Sequence, residues 1–217
     1  MAGALAGGAG APAAVAGLGA GAFGALDDHL VGESVRKGLR GHLAAASRGE
    51  VTTGAIKILG LGATGLLTSW IIDRSRSRTR PITTLIGGAV IAGSANIINL
   101  LDLRPGRALK VVLLVSGPLV AVVGGTPASS AATGAAAGAA IASLSEDLAG
   151  RSMLGDTGAN SAGALLGTAL VARTGLAGRL LALAVVTALT LASERFSFTT
   201  VIESTPGLRE LDALGRS

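Results

Sequence analysis

The polar positions of this chain gather at the ends of long apolar runs, a spacing that predicts a bundle of membrane-crossing helices. Residues 1–26 carry no charge. Residues 52–72 form a second run, interrupted only by Lys57, with Trp70 placed like an interfacial anchor. Pro81 opens a third run, residues 81–101, uncharged until Asp102. The stretch 111–145 is also uncharged, but Gly124-Gly125-Thr126-Pro127 reads as a turn between two helices. Residues 157–193 hold two charges, Arg173 and Arg179, on either side of Thr174-Gly175, and read as another helical pair. A crossing helix needs roughly 20 apolar residues. The last four helices fall short of that and require snorkelling arginines or a thinned bilayer. The expected fold is therefore all-α: a polytopic transmembrane bundle of about seven spans over residues 1–195. A cytosolic or interfacial tail, residues 196–217, follows it.

Composition agrees. The mean hydropathy is +0.62 and 14% of residues are charged, against about 25% in soluble domains. The 34 glycines suit helices whose backbones approach closely in lipid. There is no cysteine, and the two histidines form no metal motif, so a disulfide framework and a thiolate metal site are excluded. A formal charge of +5 with 2% aromatic residues and no basic stripe points to anionic lipid or an anionic substrate, not to nucleic acid. No basic residue precedes the first apolar run, which argues against a cleaved signal peptide.

Three acidic stretches end apolar segments: Asp27-Asp28, Asn96-Ile-Ile-Asn99-Leu-Leu-Asp102 and Gly155-Asp156-Thr157-Gly158. Carboxylates beside hydrocarbon-length runs are costly unless they meet a cation, a substrate or water. Two spans separate each stretch from the next, so even parity puts all three on one side. Basic residues are more numerous in the loops of that side, which places it in the cytoplasm. The cluster Arg74, Arg76, Arg78 and Arg80 on the other side opposes that orientation.

These stretches, in this order, resemble the motifs of the polyprenyl-phosphate N-acetylhexosamine-1-phosphate transferase family. "GALDD", ending at Asp28, resembles its paired-aspartate loop. "NIINLLDLRPG" (Asn96 to Gly106) resembles N-x-x-N-L-x-D-G-x-D-G, and "MLGDTGAN" (Met153 to Asn160) resembles F-x-G-D-T/S-G-S. The chain departs from the family at several points. Fewer helices precede the paired aspartates, Val31 stands where a lysine is expected, and Pro105 replaces the second aspartate of the middle loop. A histidine-rich motif is missing after the last span.

The resemblance implies Mg²⁺-dependent transfer of a phospho-N-acetylhexosamine from a UDP-sugar to polyprenyl phosphate, at the plasma membrane with cytoplasmic active-site loops. Mg²⁺ takes oxygen ligands, often one or two carboxylates with phosphate and water, and Asp156 is the expected metal ligand. A helix starting near Thr157 would favour a phosphate at its N-terminus; the competing role of Asp156 is a simple N-cap. Asp27 and Asp28 point about 100° apart on a helix, so they cannot both ligate one small ion. The resemblance implies that one accepts the proton of, or positions, the lipid phosphate while the other holds a neighbouring loop; the alternative is a solvated helix end. Asn96, Asn99 and Asp102 share a helix face at i, i+3 and i+6. The amides suit nucleotide or sugar hydroxyls, or else bond between helices, and Asp102 approaches the metal. Arg104 and Arg107 are expected to grip phosphates, and Lys110 to mark the boundary. Surface helices are expected near Val35, Leu39 and Leu43, and near Leu208, Leu211 and Leu214. A non-catalytic relative that binds prenyl phosphate or scaffolds envelope-synthesis proteins is the alternative, with a homodimer left open; a small transporter would need a mid-span ionisable residue, for which only Lys57 offers itself.

Overall fold

The computed structural model describes residues 10–30, 53–76, 80–121 and 125–216, and these are helical with no strand. Seven long helices form the bundle: α1 (Ala11–Leu30), α2 (Thr53–Ser75), α3 (Pro81–Leu101), α4 (Arg107–Ala121), α5 (Pro127–Leu148), α6 (Gly155–Arg173) and α7 (Leu176–Ser193). Two short helices, α8 (Phe198–Ser204) and α9 (Leu208–Ala213), close the chain. The all-α class holds, and each expected crossing segment contains one long helix. Three of them, spanning Gly54–Ser75, Pro81–Leu101 and Leu176–Ser193, are long and apolar enough to cross a membrane.

Of the other four, α4 has only 15 residues, and α6 is enclosed by its neighbours. Helix α6 is the hub, packing most extensively on α1 and α3, then on α5, with lighter contact to α2, α4 and α7. It is buried along most of its length by small residues. A helix wrapped by neighbours on all sides needs small contact residues more than high hydropathy. Helix α7 is the opposite case: it rests mainly on α3, and only 6% of its apolar window is buried.

Glycines set the closest approaches. A Cβ on Gly24 of α1 would overlap the Asp156 carbonyl of α6, and one on Gly163 of α6 would overlap the Ser94 carbonyl of α3. These backbones pack directly against each other, as small-residue contacts in lipid allow.

The expected turns are found, with shifted edges. Pro127 starts α5, where its missing N–H costs nothing, and the Thr126 hydroxyl accepts from the Ser129 N–H at 3.2 Å. The same hydroxyl donates to the Ala172 carbonyl at 3.0 Å, tying the start of α5 to the end of α6. Asp27 and Asp28 lie within the last turn of α1, and Arg107 and Lys110 in the first turn of α4. Charge does not end these helices, because the charged groups find partners there: Asp27 in Lys57 and Arg107 in Asp212. The expected surface helix around Val35–Leu43, and Lys37 with it, lie outside the described residues.

One expectation needs correction. Arg179 does not snorkel: it is 2% exposed and turned inward. Its guanidinium pairs with Asp73, Nη1 donating to Oδ2 at 3.0 Å and Nη2 to Oδ1 at 2.7 Å. The Thr83 and Val171 carbonyls accept from it as well, and the Thr84 hydroxyl donates to Asp73 at 2.8 Å. One ion pair thus binds the end of α2, the starts of α3 and α7 and the end of α6. Nearby, Arg74 lies over the half-exposed Trp70 ring at 5.3 Å, a cation–π contact at the edge of the bundle.

Candidate functional site

At the opposite end of the bundle the C-terminal turns of α1, α3 and α5 meet the N-terminal turns of α2, α4 and α6. Lys57, on the second turn of α2, extends its ammonium between two carboxylates: it donates to Asp27 Oδ2 at 3.2 Å and to Asp156 Oδ2. All three side chains are largely buried, Lys57 being 13% exposed.

Asp28 faces away from Lys57 and caps α6. Its carboxylate accepts from the Asp156 N–H at 3.2 Å, the Thr157 N–H at 3.0 Å and the Thr157 hydroxyl at 2.7 Å. Donors at a helix N-terminus otherwise lack partners, and a carboxylate there also answers the helix dipole. Gly155 makes the geometry accessible: its φ of +62° is a conformation that residues with a side chain rarely adopt. One turn on, Asn160 is fully buried, and its Nδ2 donates to the Asp156 carbonyl at 2.7 Å while its Oδ1 has no partner.

Asp102 caps α3, its N–H donating to the Asn99 carbonyl at 3.2 Å. Burial, followed by the charge of Asp147, pushes its carboxyl up to about 6; the charges of Asp156 and Asp28 act in the same direction, and the Gly155 N–H partly offsets them. Its Oδ1 is buried without a partner. Asp147, 2% exposed, accepts from the Gly106 N–H at the turn into α4. Asp27, Asp28, Asp102 and Asp156 therefore share one end of the bundle, with Asp102 feeling the charges of Asp28 and Asp156.

Asn96 and Asn99 sit half-buried on the last turns of α3, and no hydrogen bond joins their amides to these four aspartates. The basic residues after Asp102 turn elsewhere. Arg107 is 3% exposed and forks onto Asp212 of α9 at 2.8 and 3.0 Å, with a further bond to the Thr199 hydroxyl. Lys110 donates to the Leu211 and Asp212 carbonyls, and exposed Arg104 pairs with Glu203 at 3.1 Å.

No family model, curated protein or solved structure matches this chain. The chemistry of the site must be read from its own atoms. Asp27 and Asp156 converge on one cation, Asp28 fixes the backbone beneath them, and Asp102 adds an unpaired buried oxygen. Among the described residues no group of three or more acidic or histidine side chains is arranged to hold a metal ion. Sequence reasoning treated Lys57 as an interruption of an apolar run. The signal was present, since a lone lysine in such a run needs a carboxylate partner, but nothing in the spacing named which one.

Proposed function

We propose that the protein is a multi-pass membrane enzyme of the polyprenyl-phosphate sugar-1-phosphate transferase type, with its acidic end facing the cytoplasm. One observation carries this reading: aspartates more than a hundred residues apart, Asp27, Asp28 and Asp156, meet at one end of a helical bundle with Asp102 electrostatically coupled to them. In the reaction, an oxygen of polyprenyl phosphate attacks the sugar-linked phosphorus of a UDP-N-acetylhexosamine. A new P–O–P bond forms, the bond to the uridine-bearing phosphate breaks, and UMP leaves with that oxygen.

Mg²⁺ needs only one or two carboxylates when phosphate and water complete its shell, and the Lys57 ammonium now bridges the two that would receive it. Asp156 would hold it with Asp27 beside it, and the bound ion would neutralise pyrophosphate charge. Asp28 keeps the start of α6 fixed through its three hydrogen bonds. Asn160 restrains the Asp156 carbonyl, and Lys57 holds Asp27 and Asp156 in register. Asp102, with its elevated carboxyl, is suited to take a proton near neutral pH.

A second reading has its own support. Arg107 and Lys110 are engaged by the C-terminal segment, which favours a relative that binds prenyl phosphate without turning it over. The test is Mg²⁺-dependent exchange of labelled UMP into UDP-N-acetylglucosamine by the full chain with polyprenyl phosphate. Exchange that Asp156→Asn abolishes supports the enzyme; no exchange with any UDP-sugar, alongside retained prenyl-phosphate binding, selects the second reading.

A further inference from the structure

The C-terminal segment presents two unlike sets of side chains. Its polar groups are spent on the bundle or on each other. Asp212 takes the Arg107 fork and also pairs with Arg216, whose Nε donates to the Pro105 carbonyl at 3.0 Å. Glu203 holds Arg104, and Glu210 holds Arg209 and the Gly207 N–H. The Arg107 hydrogen bonds, and then Arg216, pull the carboxyl of Asp212 down to about 2. The segment is thereby locked to the corner between α3 and α4.

Its apolar groups, in contrast, have nothing over them. Phe196 is 62% exposed and Leu214 67%, with Val201, Leu208 and Leu211 also exposed. Five large apolar side chains exposed along so short a segment mark a surface that a covering phase occupies. Continuity says which phase. Helix α7 is long and apolar enough to cross a membrane and leaves Leu180, Leu181, Val185 and Leu191 exposed. Only residues 194–197 separate its end from α8, so the segment emerges where that helix would leave the hydrocarbon.

We propose that residues 196–216 form a membrane-surface strap, with Phe196, Val201, Leu208, Leu211 and Leu214 seated in the headgroup region of a lipid bilayer while Arg107 and Lys110 hold its polar side. The segment's two arginines, Arg209 and Arg216, are outnumbered by Glu203, Glu210 and Asp212, so the contact is apolar and needs no anionic lipid. The strap ties bilayer contact to the corner that carries Asp102. This inference rests on the membrane setting and not on the transferase chemistry.

The chain has no cysteine, so single nitroxide labels can be placed cleanly at Val201→Cys, Leu211→Cys and Leu214→Cys, with Leu181→Cys on α7 as the lipid-facing reference. All are surface positions, and three independent strap sites guard against one misfolded variant. In zwitterionic nanodiscs, power saturation is expected to show oxygen accessibility well above that of a water-soluble nickel chelate at the strap sites, at shallower depth than Leu181. Nickel accessibility equal to or above oxygen's at the strap sites, with Leu181 oxygen-dominated, overturns the strap. Exclusion of both reagents there also overturns it, because protein and not lipid would then cover the segment. A nickel-dominated Leu181 would overturn the membrane setting itself, and UMP exchange separately tests the chemistry.

Discussion

The two ends of the bundle solve the same problem, ionised groups beside apolar helices, in opposite ways. At one end Asp73 and Arg179 are each 2% exposed and pair one to one, with carbonyls and a threonine hydroxyl satisfying most of what remains. At the other, one ammonium serves two carboxylates, and Asp102 keeps a buried oxygen without a partner. A matched pair locks helices together; an under-satisfied acidic group is a place where a cation or a phosphate-bound ion has something to gain. Under the proposed function, the first end supplies stability and the second chemistry.

Breaking the matched pair should have the largest effect. Arg179→Met leaves Asp73 buried and unpaired, which is expected to cost about 3–5 kcal/mol. The double replacement Asp73→Leu with Arg179→Met should recover much of that, as read from denaturant midpoints in micelles. If Arg179→Met unfolds at the wild-type midpoint, the locking role is wrong.

Gly163→Ala comes next. The added methyl meets the Ser94 carbonyl and must push α3 from α6, an overpacking cost of roughly 1–3 kcal/mol. An equally stable variant would mean that the two backbones are not in contact.

At the acidic end the effects should be smaller, and one should reverse sign. Asp102 has a folded-state pKa of about 6 against an ordinary 3.8. The folded state therefore holds its proton more tightly than the unfolded one, and stability is lost as pH rises from about 4 through 6. Asp102→Asn should accordingly stabilise the protein above pH 6, on the order of 1–2 kcal/mol after solvent screening, and do nothing below pH 4. Thermal midpoints of both proteins at pH 4 and pH 7.5 check this; destabilisation at pH 7.5 would show that the carboxylate is satisfied.

The helices were largely legible because apolar runs and turn residues punctuate them plainly: Pro81 and Pro127 open α3 and α5, and Thr174-Gly175 separates α6 from α7. Membrane crossing was less legible for α1, α4, α5 and α6. Length and hydropathy report what faces lipid, while α6 faces other helices. Of the site, the three acidic stretches could be read from span parity, yet their partners could not. Lys57 and Asp73 are single charges whose meaning depends on which helices are neighbours. Arg107 showed a further limit, since a phosphate and the Asp212 carboxylate attract it by the same chemistry and only the fold of the tail distinguishes them.

The central claim is that stretches distant in sequence form one site, and the cysteine-free background tests it directly. In Asp28→Cys/Thr157→Cys the two thiols stand at positions whose native side chains touch, the Thr157 hydroxyl donating to Asp28 at 2.7 Å. Mild oxidation in native membranes should cross-link this pair nearly completely within one chain, while Asp28→Cys with Arg173→Cys, at the far end of α6, stays reduced. Failure of the first pair to cross-link, with the two positions labelled from opposite sides of the membrane, would contradict the account.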